Sequence, residues 1–417
     1  MNARQQRGLV IAAVCKLRRT NAELWAVPSQ TLSTTTYRVN TVTKSCTCPD
    51  HTESGNTCKH YYAVEFTAKR ELGTDGSVME TRSVTFTEKK TYTQDWEAYN
   101  RAQSTEKDRV QILLHDLCQG ISEPEHVGRG RKPHSVRDSI FCMAYKVYNM
   151  FSSRRSSTDL REAYARGFLT RPVPGLKINQ FFENAAFTPI LNDLIAKSAA
   201  PLSVVETKFA VDSSGFSTSR FYRWFDEKYG VTRQKAIWIK SHIAIGVQTN
   251  VVAAVRVMDK YSPDCQQFKP LMETTAESFK VDEVSADKAY SSKENFELVD
   301  LLGGTAFVPF KSNATGGKGG LFEKMFHYFQ FRQEEFMAHY HLRSNVESTF
   351  SAVKRLFGDG VKSRTTAAMT NEVLCKFLCY NLTCLIHEQE KLGIAPLFWQ
   401  TKAVEEPAIL PMVRQDF

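Results

Sequence analysis

The chain predicts an α/β protein: a mixed β-sheet flanked by helices, preceded by a small N-terminal ββα module and a mainly helical region. Three observations predict it. Short apolar runs of strand character crowd together from residue 207 onward, with helical stretches between them. Residues 105–200 carry apolar positions at helical spacing instead. A cysteine–histidine cluster at 46–60 follows two β-type runs and precedes a helix-like one. At 417 residues the chain exceeds one ordinary core, and about two to four domains are expected.

The N-terminal stretch to Arg19 reads as a helix, because Leu9 to Val14 is short and no small-residue cleavage site follows it. Glu23-Leu-Trp-Ala-Val and Thr36-Tyr-Arg-Val-Asn read as strands, and Lys59-His-Tyr-Tyr-Ala-Val-Glu-Phe opens a helix. These make a module over 1–75. Residues 76–104, rich in Thr, Ser and charge, read as a linker. Helical segments follow near Arg109, over Arg137 to Phe151 and over Ile178 to Ala199, making a helical region over 105–200 that the charge and motifs below mark as the expected DNA-binding region.

Phe209-Ala-Val-Asp, Ile237 to Val247 and Val251 to Met258 are then three strands, the last two joined by a hairpin at Gln248-Thr-Asn. A helix from Cys265, a strand ending at Asp287, a helix from Lys293 and a strand at Thr305-Ala-Phe-Val-Pro-Phe complete the order βββαβαβ–α. That order is the one of a ribonuclease-H-like domain, placed at 201–388, with a tail over 389–417. The Gly-rich loop at Asn313-Ala-Thr-Gly-Gly-Lys-Gly-Gly lacks the spacing and helix start of a P-loop.

Lys plus Arg number 54 against 45 Asp plus Glu, and the resulting +9 suits a polyanionic partner. No apolar run approaches the roughly 20 residues of a membrane helix, so no membrane partner is expected. Cys118, Cys142, Cys375 and Cys379 sit in apolar helical contexts and read as buried reduced thiols of a reducing compartment.

Three acids stand out. Asp212 ends an apolar run in Val-Asp-Ser-Ser-Gly-Phe, and Asp287 ends another in Ala-Asp-Lys-Ala-Tyr-Ser-Ser. Alone, each would be read as a turn residue or a helix cap. Both, however, fall at strand ends, where active sites of open α/β sheets form. The third acid, Glu347, lies in Tyr340-x2-Arg343-x3-Glu347-x6-Lys354, whose steps of three, four and seven share one helix face. Three converging carboxylates can hold two divalent cations, the arrangement needed for in-line attack on a phosphodiester.

The Tyr-x2-Arg-x3-Glu-x6-Lys pattern resembles the YREK signature of insertion-sequence DDE transposases. The contexts of Asp212 and Asp287 are similar to the first and second Asp blocks of that family, and the likeness spans about 128–388. The resemblance implies that Asp212, Asp287 and Glu347 bind two Mg2+ (or Mn2+) ions. It implies hydrolysis at transposon ends, attack of the freed 3′-hydroxyl on target DNA, and no covalent protein–DNA intermediate. Tyr340, Arg343 and Lys354 would position phosphates. The 60 residues from Asp287 to Glu347 leave room for an insertion at about 305–338, which in the family is often β-rich. Its aromatics, Phe322, Phe326, Tyr328, Phe329 and Phe331, are core or base-stacking residues.

Cys46-x-Cys48 and Cys58-x-His60 supply three thiolates and an imidazole, a set that suits a closed four-coordinate structural Zn2+, with His51 a weaker alternative ligand. The spacing resembles the SWIM zinc finger. Gly128-Arg-Gly-Arg-Lys-Pro places Arg129, Arg131 and Lys132 in a basic stretch that reads as a minor-groove hook or a flexible basic linker. The expected partners are double-stranded DNA, as transposon ends and target, and a second copy of the chain in the active complex. The compartment is the cytoplasm of a prokaryote or the nucleus of a eukaryote. Two rivals remain at this stage: a nuclease of the same fold without strand transfer, and a domesticated DNA-binding protein that relies on the zinc module.

Overall fold

A computed structural model of the chain describes residues 3–30, 35–72, 95–125, 132–218, 238–259, 261–311, 313–317 and 319–399. It divides into two compact units, Met1–Thr93 and Gln94–Phe417.

In the first unit, helix α1 (Ala3–Val14) precedes β1 (Arg18–Arg19), β2 (Leu24–Pro28), β3 (Thr36–Asn40) and β4 (Ser45–Cys46), then α2 (Pro49–Ser54) and α3 (Lys59–Leu72). The four strands form an antiparallel meander in chain order. Alternation in β2 buries Trp25 and Val27 and leaves their neighbours half-buried, which is how a sheet covered on one face is specified. The turn from β3 to β4 is held by Asn40, whose Oδ1 accepts from the amides of Val42 and Thr43 (both 2.9 Å). Helices α1 and α3 pack closely because residue 8 is glycine: a Cβ there would meet Tyr62 Cβ at 2.5 Å.

The second unit begins with α4 (Trp96–Gln119), whose N-cap Asp95 accepts from the Ala98 amide (2.9 Å). Residues 76–94 of the expected linker lie outside the described residues, and 96–104 form the first turns of α4. Next come α5 (Val136–Asn149), α6 (Ser156–Ala165), α7 (Lys177–Phe182) and α8 (Phe187–Ala199). The stretch Ile178 to Ala199 reads as one helical segment but folds as two. Asn184 breaks it, its Oδ1 accepting from the Ala186 amide (3.1 Å), a local bond that competes with the helix.

The sheet comprises β5 (Lys208–Ser217), β6 (Trp238–Gly246), β7 (Val252–Asp259), β8 (Glu283–Ala286) and β9 (Thr305–Phe307) in the order β7-β6-β5-β8-β9. The first three strands pair antiparallel, while β5, β8 and β9 pair parallel, giving the mixed ribonuclease-H-like sheet. Helices α9 (Asp264–Ala276) and α10 (Lys293–Leu301) make the two crossovers. Beyond β9 come α11 (Gly320–Phe331), α12 (Gln333–Tyr340), a 3-10 turn (His341–Arg343), α13 (Ser344–Phe357) and α14 (Thr366–Leu392). The stretch 320–340 is thus helical rather than β-rich. Phe322 is buried and meets Phe296 and Phe310 edge-on, and Phe326 and Phe329 also pack on Phe310, so these rings are core. Phe331 alone of the five is largely exposed (82%).

α14 is buried nearly all round between Ala368 and Ile386, and its buried apolar residues include Val373, Leu374, Phe377, Leu378, Leu382, Leu385 and Ile386. It packs on α4, α5, α8 and β7, so helices and sheet share one core. Asn381 ties them: it accepts from the Val252 amide (2.9 Å) and donates to the carbonyls of Val252 (2.8 Å) and Ile195 (3.2 Å). The described cysteines are all free, and Cys118, Cys142, Cys375 and Cys379 are buried thiols.

Candidate active site and metal centre

Parallel pairing brings the two aspartates together. Val211 of β5 is in register with Ala286 of β8, so Asp212 and Asp287 are the next residues on adjacent strands, about 4.8 Å apart across the sheet. β8 ends there. β5 does not: it continues to Ser217, paired with β6 as far as Trp238. Asp212 therefore lies within its strand, at the point where its parallel neighbour stops. Each aspartate accepts from the next amide, Asp212 from Ser213 (2.8 Å) and Asp287 from Lys288 (2.7 Å). Burial pushes the Asp212 carboxyl above its usual range; the Ser213 amide and Arg343 oppose that, and the charges of Asp287 and Glu347 add to it.

Tyr340, Arg343 and Glu347 do not lie on one uninterrupted α-helix. Tyr340 ends α12, Arg343 ends the 3-10 turn, and Glu347 and Lys354 belong to α13. The backbone stays right-handed across the junction, so the arrangement still delivers Arg343 and Glu347 to the aspartates. Arg343 bridges the acids, with Nη1 at 2.5 Å from Asp212 and Nη2 at 2.6 Å from Glu347. Burial works against its charge, but the Asp212 carboxylate prevails and raises its pKa. Its guanidinium also lies 5.9 Å from the centre of the Tyr340 ring. Glu347 is exposed. Lys354 turns to β5, where it donates to Ser214 Oγ (2.7 Å).

A neighbouring polar network carries no role in the sequence reading. Asp264, at the start of α9, accepts from Ser213 Oγ (3.0 Å), pairs with Lys240 (2.5 Å) and faces His242 Nδ1 (3.4 Å). His242 is fully buried and also approaches the Tyr290 hydroxyl (3.4 Å), three residues beyond Asp287. Burial holds His242 down to about 4, against the pull of Asp264. The usable signal is the polar run Lys240-Ser-His242 within a strand that is apolar on either side of it.

In the first unit, Cys46, Cys48, Cys58 and His60 are buried, with ligand atoms all within 4.8 Å of one another. His60 Nδ1 lies 3.9 Å from both Cys46 and Cys58 sulfurs. A tetrahedral Zn2+ with bonds of about 2.3 Å to sulfur and 2.0 Å to nitrogen would need roughly 3.6 Å, so the set fits with a slight contraction. Crowding drives the thiols apart: the Cys46 thiol bond holds Cys58 low, while its counterpart and burial push Cys46 up. His51 is not part of the set; its Nδ1 donates to the Asn56 carbonyl (2.8 Å). The three acids do not reach this spacing together, since the Arg343 guanidinium stands between two of them. As hard oxygen donors they suit Mg2+ or Mn2+ and not a thiophilic ion.

Of the basic stretch, Arg129 and Arg131 lie outside the described residues. Lys132 is exposed, and its carbonyl accepts from Arg171 (3.0 Å).

Residues 205–382, which carry the sheet and all three acids, match the model of the transposase DDE domain. Residues 33–69, which carry the Cys3His set, match that of the SWIM zinc finger. No curated protein matches the chain. The chain is thus similar to the transposase DDE domain over one stretch and to the SWIM zinc finger over another, ahead of it.

Proposed function

We propose that the protein is a cut-and-paste DNA transposase, cleaving at transposon ends and joining the freed 3′ ends to target DNA. The observation that carries this reading is the meeting of Asp212 and Asp287 at the end of one parallel strand pair, with Glu347 drawn in through Arg343. Asp212, Asp287 and Glu347 would hold the divalent cations, Mg2+ or Mn2+. When bound, these would supply activation of the attacking oxygen and stabilisation of the leaving one.

The chain's own residues do the rest. The Ser213 and Lys288 amides fix the orientation of the two aspartates. Arg343 and Tyr340 lie at the rim, where a guanidinium and a hydroxyl can grip phosphate oxygens. Lys354, docked on Ser214, adds positive charge beside β5. The Cys3His set, closed and buried, would hold a structural Zn2+. Two transposon ends call for two copies of the chain in the active complex. No helix among the described residues is long and apolar enough to cross a membrane.

The test is end cleavage and strand joining in Mg2+ by the wild type and by Asp212→Ala, Asp287→Ala and Glu347→Ala. Each variant is expected to bind DNA and to lose cleavage. Normal cleavage by any of them removes that acid from the site; cleavage without joined product by the wild type leaves a nuclease.

A further inference from the structure

A pocket of about 400 Å³ opens at the N-terminal end of α14, lined by Lys146, Ser152, Ser153, Glu183, Lys362 and Arg364 among others. Lys146, on α5, is 8% exposed. Among the described residues its ammonium has no carboxylate within 4.0 Å and no hydrogen-bond partner. It lies over the Phe182 ring face, 5.2 Å from its centre, within the fields of Glu372 and Lys362. Lys376, 2% exposed, shows what such a group ordinarily finds: it donates to the carbonyls of Gly358 (2.8 Å) and Gly360 (2.7 Å). The largely buried side chain thus presents an ammonium without a protein partner at the pocket wall, where burial weakens its hydration and an anion would be drawn to it.

Nearby acids leave Lys146 without a direct partner. Glu372 is taken by the amides of Lys362 (2.9 Å) and Ser363 (2.8 Å), and Glu183 is exposed. Lys362 Nζ donates to the Met150 carbonyl (2.9 Å). Arg364 is exposed and, among the described residues, forms no ion pair, and Arg154 and Arg155, which follow Ser153, are in the same condition. The 27-residue α14 adds the positive end of its dipole.

The pocket is also tied to the acidic cluster. Val361 donates to the Ser217 carbonyl (2.7 Å) and Ser217 to that of Asp359 (3.1 Å). Ser217 lies five residues along β5 from Asp212, about 17 Å at the strand rise.

We propose that this pocket binds a backbone phosphate of DNA flanking the phosphodiester held at the acids. Lys146 and Arg364 are its cationic ligands, and the site rests on the transposase reading above. The test is binding of a 40-bp duplex, followed by fluorescence anisotropy over a range of NaCl without divalent metal, for full-length wild type, Lys146→Met and Arg364→Ala. Each variant is expected to bind about tenfold more weakly, with the slope of log K against log salt reduced by about 0.9. Lys146→Met should melt no lower than the wild type, because it removes a buried unpaired charge. Arg364→Ala, at an exposed position, is a second variant independent of folding. Wild-type slope and affinity in both variants overturn the pocket and leave the transposase reading standing. Failure of the wild type to bind DNA overturns both.

Discussion

Arg343 occupies the place where the proposed reaction needs positive charge, and replacing it with methionine tests that directly. Two ion pairs are lost. The pair with Glu347 is an i,i+4 pair whose acid side chain is 60% exposed, and such pairs contribute about 0.3–0.5 kcal/mol. The pair with Asp212 is different: both side chains are only 20% exposed, and Asp212 is already pushed up by burial. Breaking a fully buried pair costs about 3–5 kcal/mol; with residual exposure about 2–3 kcal/mol is expected. Arg343→Met should therefore lose about 3 kcal/mol in denaturant unfolding of the DDE unit without divalent metal. The same change removes a cation from between two carboxylates, so Mn2+ should bind more tightly, read by calorimetry. At saturating Mg2+ the stability gap should narrow, while DNA cleavage falls because a phosphate ligand is gone. Equal stability without metal, together with unchanged Mn2+ affinity, would refute the reasoning.

Two further outcomes follow from the same geometry. The purified chain should contain one zinc per copy, and Cys46→Ser/Cys58→Ser none; chelation should open residues 3–72 to protease while the DDE unit stays resistant, whereas unchanged zinc in the double variant removes the site. His242 takes its proton near 6.5 when unfolded but only near 4 when folded, so the unfolded chain binds more protons between these values. Stability should hold above pH 6.5 and fall by up to about 3 kcal/mol as pH drops to 4. His242→Phe should flatten that slope, and a wild-type slope in the variant would show that another group titrates.

The sheet could be read from sequence because its strands are apolar runs bounded by turn residues, and Asp287 because it follows such a run. The continuation of β5 could not. Ser213-Ser-Gly-Phe has no apolar alternation, and it is extended because β6 pairs with it. The helical character of 320–331 was legible in principle, since Phe322, Phe326 and Phe329 step by four and three; the family expectation of strands masked it. Asp264 and Lys146 were beyond reach. The partners of Asp264, and the lack of one at Lys146, arise from elements far apart in the chain.

The placement of α14 has a consequence for synthesis. This helix closes over β7, yet its last residue, Leu392, comes 133 residues after the end of β7 at Asp259. At about 5–20 residues per second the ribosome needs roughly 7–27 s to supply it. During that interval the strand is covered only by α8 and α9. The nascent sheet must then wait, exposed to aggregation, for contacts such as that of Val252 with Asn381, 129 residues apart, and slow translation of this stretch would lower the yield of folded protein.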